Sequence, residues 1–450
     1  MLITNAKIIT WGRPNQILEG HALRVEGQKI SRIDLQDRLL TEFPNEEVFD
    51  AHGQFLMPGV ICAHTHFYGA FSRGMAIPGP APADFPEILN KLWWPLDQSL
   101  TLEDVRYSAL VCLADAIKHG TTTLFDHHAS PNAIDGSLDA IADTIVESGV
   151  RGILCYEVTD RGGIEKTRRG IKENSRMIKK VRSGVYGGMV KANLGIHASL
   201  TVSEETLNEC RKAVDADTGF HIHVAEHPVD EYDSLQKSGM RVIDRLNKHE
   251  MLGPETIIVH GVHMDMKEIE QLAETKSWLS HQPRSNMNNA VGMADIDSIL
   301  RMGVKVCLGN DGFSNAMWDE LRTCYLVHKL WNRDPQRMNG NSVIDMAVYN
   351  NAELASHYFS EQGNVGVIEE GAQADLILVD YQPITEITPG NLPWQILFGF
   401  RDSMVTMTMA AGKVLMKDKK LLTLNEGEIS EKALALSKNV WKRYQAQFHT

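Results

Sequence analysis

The chain has only six cysteines in 450 residues, and no two form a Cys-x-x-Cys pair. Cys62, Cys112, Cys155, Cys210, Cys307 and Cys324 lie mostly inside apolar runs. That placing suits buried free thiols in a reducing compartment better than a disulfide framework. Positive charge is also short: 45 Lys and Arg against 58 Asp and Glu give a net charge of −13, which argues against nucleic acid and anionic lipid as partners. The densest basic stretch, residues 166–182, interleaves its cations with Ile171, Met177, Ile178 and Val181, so it reads as the solvated face of an amphipathic helix. No apolar run approaches the roughly 20 residues needed to span a bilayer. The N-terminus shows no basic segment followed by an apolar core, so the expected location is cytoplasmic. His-Glu-x-x-His, Pro-Cys-x-x-Cys, Gly-x-Gly-x-x-Gly and the phosphate-binding loop are all missing. Their absence argues against a helix-borne zincin site, a cysteine-ligated nucleoside deaminase and dinucleotide or nucleoside-triphosphate chemistry.

What is present is enough apolar sequence, 43% of residues, to bury a large core. Residues 1–55 alternate like short strands, and residues 374–379, 404–410 and 413–415 do the same near the other end. Each end is too small to bury a sheet face alone. They are expected to pair as one small β-domain, residues 1–55 plus 366–425, ahead of a C-terminal helix over 426–450. Between them, eight apolar runs (60–64, 121–125, 152–156, 192–197, 220–224, 256–259, 277–280 and 304–308) alternate with amphipathic stretches (102–119, 138–148, 164–181, 204–214, 242–248, 267–274, 295–301 and 318–331). Several runs are apolar throughout, as parallel strands buried on both faces are. Eight strand–helix units predict an α/β fold, a (β/α)₈ TIM barrel over residues 56–365. The Met-rich segment 404–416 and the segment 394–400 fit a subunit contact or a domain core, and a homo-oligomer, dimer or larger, is expected.

Polar clusters follow the strands and so fall at the carboxyl end of the barrel, where such folds carry their chemistry. His64 and His66 alternate along the first strand and share one face, a pair suited to a zinc-like ion. His-x-His alone is weak. After the fifth run comes His221-Ile222-His223-Val224-Ala225-Glu226, after the sixth His260-Gly261-Val262-His263, and after the eighth Gly309-Asn310-Asp311-Gly312. Each histidine alone reads as a hydrogen-bonded core residue and Asp311 alone as a turn. Four of eight strands ending in ligand-type residues on one rim shifts the odds towards a metal site.

These residues carry a resemblance. The run Met57-Pro58-Gly59-Val60-Ile61-Cys62-Ala63-His64-Thr65-His66, with His223-x-x-Glu226, His260 and Gly309-Asn310-Asp311-Gly312, resembles the amidohydrolase superfamily, in the branch of metal-dependent deaminases and chlorohydrolases. Asp126-His127-His128-Ala129-Ser130-Pro131 and His281-Gln282-Pro283-Arg284-Ser285-Asn286-Met287-Asn288-Asn289 look like the SsnA-type aminohydrolases within it. The resemblance implies His64, His66, His223 and Asp311 as ligands of one divalent ion, with zinc first and Fe²⁺ or Mn²⁺ as alternatives. It places His221 deeper in the barrel. Glu226 would relay protons, and His260 would hold the water or the developing oxyanion. His197 would contact substrate. Binuclear relatives place a carboxylated lysine after the fourth strand. Here His197 stands at that strand's end and Lys191 at its start, which implies one metal.

An ion of this kind lowers the pKa of its bound water to about 7; Asp311 can take that proton and Glu226 can deliver one. The expected activity is hydrolysis of a C–N bond in a small heterocycle. Deamination of a purine- or pterin-like ring by a metal-bound hydroxide stands first. Ring opening of a cyclic amide, such as an oxidised purine or hydantoin, is the alternative. A scaffold on a decayed barrel would have lost a ligand, and none is lost. Trp93 could stack on a flat ring or pack in the core. His128 is a further candidate substrate contact. The first loop, Pro78-Gly79-Pro80-Ala81-Pro82-Ala83-Asp84-Phe85, departs from the Asp-Asp-Leu-type segment of many relatives, so their substrates do not transfer directly.

Overall fold

The computed structural model describes residues 1–448, and eight parallel strands close into a (β/α)₈ barrel. We label them β1 (Val60–Thr65), β2 (Thr121–His128), β3 (Arg151–Tyr156), β4 (Val190–Ala192 and Leu194–Ala198), β5 (Phe220–Val224), β6 (Ile257–His260), β7 (Trp278–His281) and β8 (Val306–Leu308). All eight residues of β2 are buried, and its first five, Thr121 to Phe125, are the Thr and apolar residues expected of a strand covered on both faces. The helices between strands start where their caps dictate. Thr101 and Asp104 form a reciprocal capping box at the head of Leu102–Lys118, satisfying two otherwise orphaned amide donors. Several helices escaped the sequence reading, among them Pro228–Ser238 after β5 and Pro283–Asn288 after β7. These two each open on a proline, which is tolerated in a helix's first turn, yet in a sequence Pro reads as a break.

The barrel's strand ladder is interrupted twice, and an asparagine side chain spans each gap. β4 is split at Asn193: its first piece pairs with β3 and its second with β5. Across that gap Asn174 accepts from the Tyr156 amide at 2.8 Å and donates to the Tyr156 carbonyl at 2.8 Å. At the other gap, between β8 and β1, Asn351 donates to the Ile61 and Leu308 carbonyls at 2.7 and 2.9 Å. It also accepts from the Leu308 amide at 3.0 Å.

The two ends of the chain make a pair of sheets beside the barrel. One has four strands (Lys29–Leu35, His21–Glu26, Leu2–Thr4, Val48–Asp50) and the other seven. In the larger sheet Phe55–Pro58 pairs with both Leu376–Val379 and Lys7–Ile9. The chain therefore leaves that sheet at Gly59, slightly later than the sequence suggests. Ile3, Leu23 and Ile30 from one sheet pack on Leu56, Leu376, Met407 and Met409 from the other. Met407 and Met409 thus serve the core of this domain, Met404 and Met416 pack with the larger cluster that continues into the barrel, and Trp394 and Phe398 remain partly exposed. Arg151 of β3, fully buried, pairs with Asp375 at 2.7 Å and fastens barrel to sheets. The C-terminal helix is Glu426–Ala446, and positions 449–450 of the expected helix lie outside the described residues. It grips the loop after β1: Trp441 Nε1 donates to the Phe71 carbonyl at 2.8 Å and Arg443 Nε to the Ser99 carbonyl at 2.6 Å. Tyr444 donates to the Lys91 carbonyl. Among the described residues no helix is long and apolar enough to cross a membrane.

Asn351→Ala strands backbone groups in a dry seam, at about 1–3 kcal/mol for each one left unpaired. We expect unfolding by urea to show a loss of at least about 2 kcal/mol. A midpoint equal to wild type would show that the seam closes without the clip.

Candidate functional site

Strand ends converge at the carboxyl mouth. His64 and His66 come from β1, His223 from β5 and Asp311 from just past β8, and one donor atom of each lies within 4.8 Å of the others. The seam sets this register. The Asn310 and Asp311 amides donate to the His64 carbonyl at 2.9 and 3.1 Å, and the His66 amide donates to the Asp311 carbonyl at 2.8 Å. Asp311 (φ +59°), His260 (φ +71°) and Ala225 (φ +49°) all take left-handed backbone, which side-chain-bearing residues adopt rarely and mainly where function over-determines them.

Hydrogen bonds fix which nitrogens face the centre. His66 Nδ1 contacts the His127 carbonyl at 2.6 Å and His223 Nδ1 the His197 carbonyl at 2.7 Å. Both rings must donate there, so each Nε2 keeps a lone pair. The two Nε2 atoms lie 3.2 Å apart. His64 Nδ1 meets His221 Nε2 at 2.9 Å, while His64 Nε2 lies 3.2 Å from Asp311 Oδ1. His221 therefore sits behind His64, deeper in the barrel. Ser285 donates to Asp311 Oδ2 at 2.5 Å.

The cluster calls for positive charge. Burial opposes a charged imidazole at His66, yet Asp311 at 3.0 Å, with Glu157 nearby, outweighs it and raises the group to about 9. At His64 burial dominates and lowers the value to about 3, despite Asp311. Three imidazole nitrogens and a carboxylate that converge on one point fit a divalent ion of the zinc type, which would supply the charge without a proton.

Glu226 and His260 flank this centre. His260 Nε2 lies 3.4 Å from Glu226 Oε2, Asn289 donates to Glu226 Oε1 at 3.3 Å, and His260 Nδ1 meets Asn286 Oδ1 at 2.7 Å. Burial raises Glu226 to about 7; His260 opposes this and Asp311 adds to it. A cavity of about 710 Å³, counting its open mouth, joins these groups to His197, Tyr68, Trp93 and Trp94. That volume suits a small-molecule ligand. Thr201 donates to the Ala198 carbonyl and accepts from His197 Nδ1 at 3.0 Å, leaving His197 Nε2 as an acceptor.

His128 does not line the cavity. Alternation along β2 turns His127 inward, with its ring centroid 4.7–5.6 Å from those of His64, His66, His221 and His223. The next residue therefore points outward, where His128 meets Ser130 Oγ at 2.9 Å. The expectation of a substrate contact at His128 is corrected accordingly. The sequence reading also missed Glu157. Its apolar run ended at Tyr156, and an acidic residue immediately after a barrel strand was the available signal. Burial opposes ionisation of Glu157, but His127, bonded to it at 3.0 Å, holds it well below the usual carboxylate range. Ser285 and Asn289 lay within a quoted motif without a role.

Comparisons with known proteins agree with this architecture. A model of the amidohydrolase family matches residues 55–415. A 5'-deoxyadenosine deaminase of Methanobrevibacter smithii is 32% identical over 422 residues, covering 92% of each chain. A 5-methylthioadenosine/S-adenosylhomocysteine deaminase of Haloarcula marismortui is 30% identical over 394 residues, covering 86% of this chain and 87% of that one. Among solved structures, an adenosine deaminase from Xanthomonas campestris with bound zinc superposes with a TM-score of 0.85 at 22% identity, covering 99% of this chain and 98% of that one. A zinc complex of atrazine chlorohydrolase from Arthrobacter aurescens gives 0.81 at 22% identity, covering 97% and 99%.

Gly309 makes the seam possible. A Cβ there would lie 2.6 Å from the His64 nitrogen and 2.7 Å from its carbonyl oxygen, backbone atoms that cannot swing away. Gly309→Ala should therefore force β8 from β1, at about 1–3 kcal/mol for overpacking. A wild-type thermal midpoint in that variant would refute the tight seam.

Proposed function

Because this chain belongs to the amidohydrolase family, we propose that it is a deaminase of an amino-substituted nitrogen heterocycle, purine- or pterin-like, holding one divalent ion per chain through His64, His66, His223 and Asp311. The observation that carries the reading is the convergence of those four donors beside the Glu226–His260 pair at the floor of one cavity. The named deaminase relatives support the reaction class, and the zinc-bound neighbours support zinc as the ion.

When bound, the ion supplies a water acidified to about pKa 7. The protein's own groups manage the protons and the ring. Asp311, steadied by Ser285, accepts the proton of the attacking water. Glu226, raised to about 7 by burial, holds a proton near neutral pH and passes it to the ring nitrogen beside the reacting carbon. Asp311 then returns its proton to the departing amine, and the proton left on the oxygen passes to Glu226 as the carbonyl forms, which restores both carboxyl groups. His260, held by Asn286, faces the charge that develops on the oxygen. His197 accepts from the ring edge, and Trp93 offers an apolar face.

Elemental analysis of the purified protein should find one divalent ion per chain; two would contradict the mononuclear assignment. Glu226→Gln should keep the ion and lose about 10²–10⁴-fold in kcat. Asp311→Asn should lose turnover and bind the ion more weakly. Near wild-type turnover in either variant would remove these roles.

Deamination frees ammonia and preserves the ring chromophore, whereas ring opening of a cyclic amide abolishes the chromophore without ammonia. A panel of purines, pterins, pyrimidines and triazines should give ammonia with the ultraviolet band shifted and retained. Loss of absorbance without ammonia on the best substrate would reverse the order of the two reactions.

A further inference from the structure

We propose that Glu157 is the specificity-determining residue of this site: its free carboxylate oxygen takes an N–H donor that the heterocycle carries in addition to the amine it loses. The proposal rests on the deaminase reading and adds a substrate class to it, heterocycles with a second amino group or ring N–H on the edge opposite Glu226.

Glu157 follows β3 and faces the cavity, although its side chain is only 2% exposed. Oε1 is occupied: His127 Nδ1 lies at 3.0 Å and His66 Nδ1 at 3.5 Å. His127 cannot rotate away, because its Nε2 is bonded to the His221 carbonyl at 2.9 Å. The carboxylate is thus pinned in one orientation, and among the described residues no hydrogen bond engages Oε2. Oε2 is the oxygen left to the cavity, and once a ligand displaces solvent there, a carboxylate oxygen without a donor is unfavourable, so a ligand N–H is the group that would satisfy it. The direct account of proton transfer uses Glu226 and Asp311 and leaves Glu157 without a part.

The surrounding wall has the same polarity. His197 presents Nε2 as an acceptor. Asp97 Oδ1 is buried without a partner, while its Oδ2 is bonded to Arg161 at 2.7 Å. Arg161 is spent on that pair and on the face of Trp94, 4.7 Å away, and neither it nor any other Arg or Lys lines the cavity. Beside one unpartnered donor, Trp94 Nε1, the wall from β3, β4 and the first loop therefore offers three acceptors and no cation, so it matches a ring edge that carries N–H donors.

The test uses the zinc-loaded full-length protein and pairs of heterocycles that share the leaving amine and differ by one amino group: adenine against 2,6-diaminopurine, and 4-aminopteridine against 2,4-diaminopteridine. The diamino member should be favoured in kcat/KM by about tenfold or more, the worth of one hydrogen bond to a charged group. Glu157→Gln keeps an oxygen for His127 and should reduce the preference to near unity, with zinc content unchanged. If that variant fails to fold, Glu157→Asp, which withdraws the oxygen, replaces it. No wild-type preference overturns the proposal. So does a Glu157→Gln protein that loses zinc, or one that slows both members equally, since either marks a residue that only positions His66 through His127. Calorimetric binding of the same pairs to zinc-loaded Glu226→Gln separates the two readings. Tighter binding of the diamino members, lost in the double variant with Glu157→Gln, sustains the proposal even if no ammonia is ever released and the deaminase reading falls. Equal binding overturns it.

Discussion

Closure of the barrel between β8 and β1 is the constraint on which the site depends. Three ligand-type residues meet there because the Asn310 and Asp311 amides and the His66 amide bond across the seam through the His64 and Asp311 carbonyls. Few ladder bonds hold it: the strand pairing is a single bridge between Thr65 and Asp311, supplemented by Asn351. Gly309 allows the close approach. A seam with so little pairing can carry left-handed backbone at Asp311, and that turn aims the carboxylate at His64 and His66 instead of along the strand. Local disorder in the ladder and precision in the site thus have one origin.

The buried charges follow the same logic. His64, His66, His221, His223 and His127 are all buried, and an imidazole there needs a partner at each nitrogen. The barrel meets that need with backbone carbonyls at strand ends, those of His127, His197 and His221. A cluster of this kind is a poor way to stabilise a fold, because an unmatched charge inside it is costly. It becomes favourable when a cation is present, which links stability of the mouth to metal binding.

Much of this was legible in the sequence, for stated reasons. Parallel strands buried on both faces leave unbroken apolar runs, so the eight strands could be read. His64 and His66 share parity on one strand, and Asp311 sits between glycines, so the ligand-type residues could be named. What escaped was encoded by contact and not by pattern. Asn174 and Asn351 stand among other polar residues in helical segments, and nothing local distinguishes a clip across a strand gap from a solvated amide. The helices at Pro228 and Pro283 hide behind residues that usually signal breaks. His127 and His128 differ only in parity, and the strand's exact phase decides which one points inward. Glu157 lies one residue past a run whose end could not be fixed to that accuracy.

Chemistry and selection are built from different parts of the chain. The proposed proton-handling groups sit on strand ends, where the rigid barrel holds them. The aromatic wall, Trp93 and Trp94 with Asp97, lies on the first loop, in the helical stretch that follows Pro78–Phe85. That loop folds into helical turns over Phe67–Ser72 and from Phe85 to Gln98, and the C-terminal helix holds it in place through Tyr444, Arg443 and Trp441. A loop clamped from outside can change its sequence without disturbing the ligand cluster. Glu157 belongs to neither group alone: it is rooted on β3 and tied to His127, but opens onto the wall that the loop completes. The choice of heterocycle is therefore set where a barrel strand and the first loop meet, beside the ligand cluster and not within it.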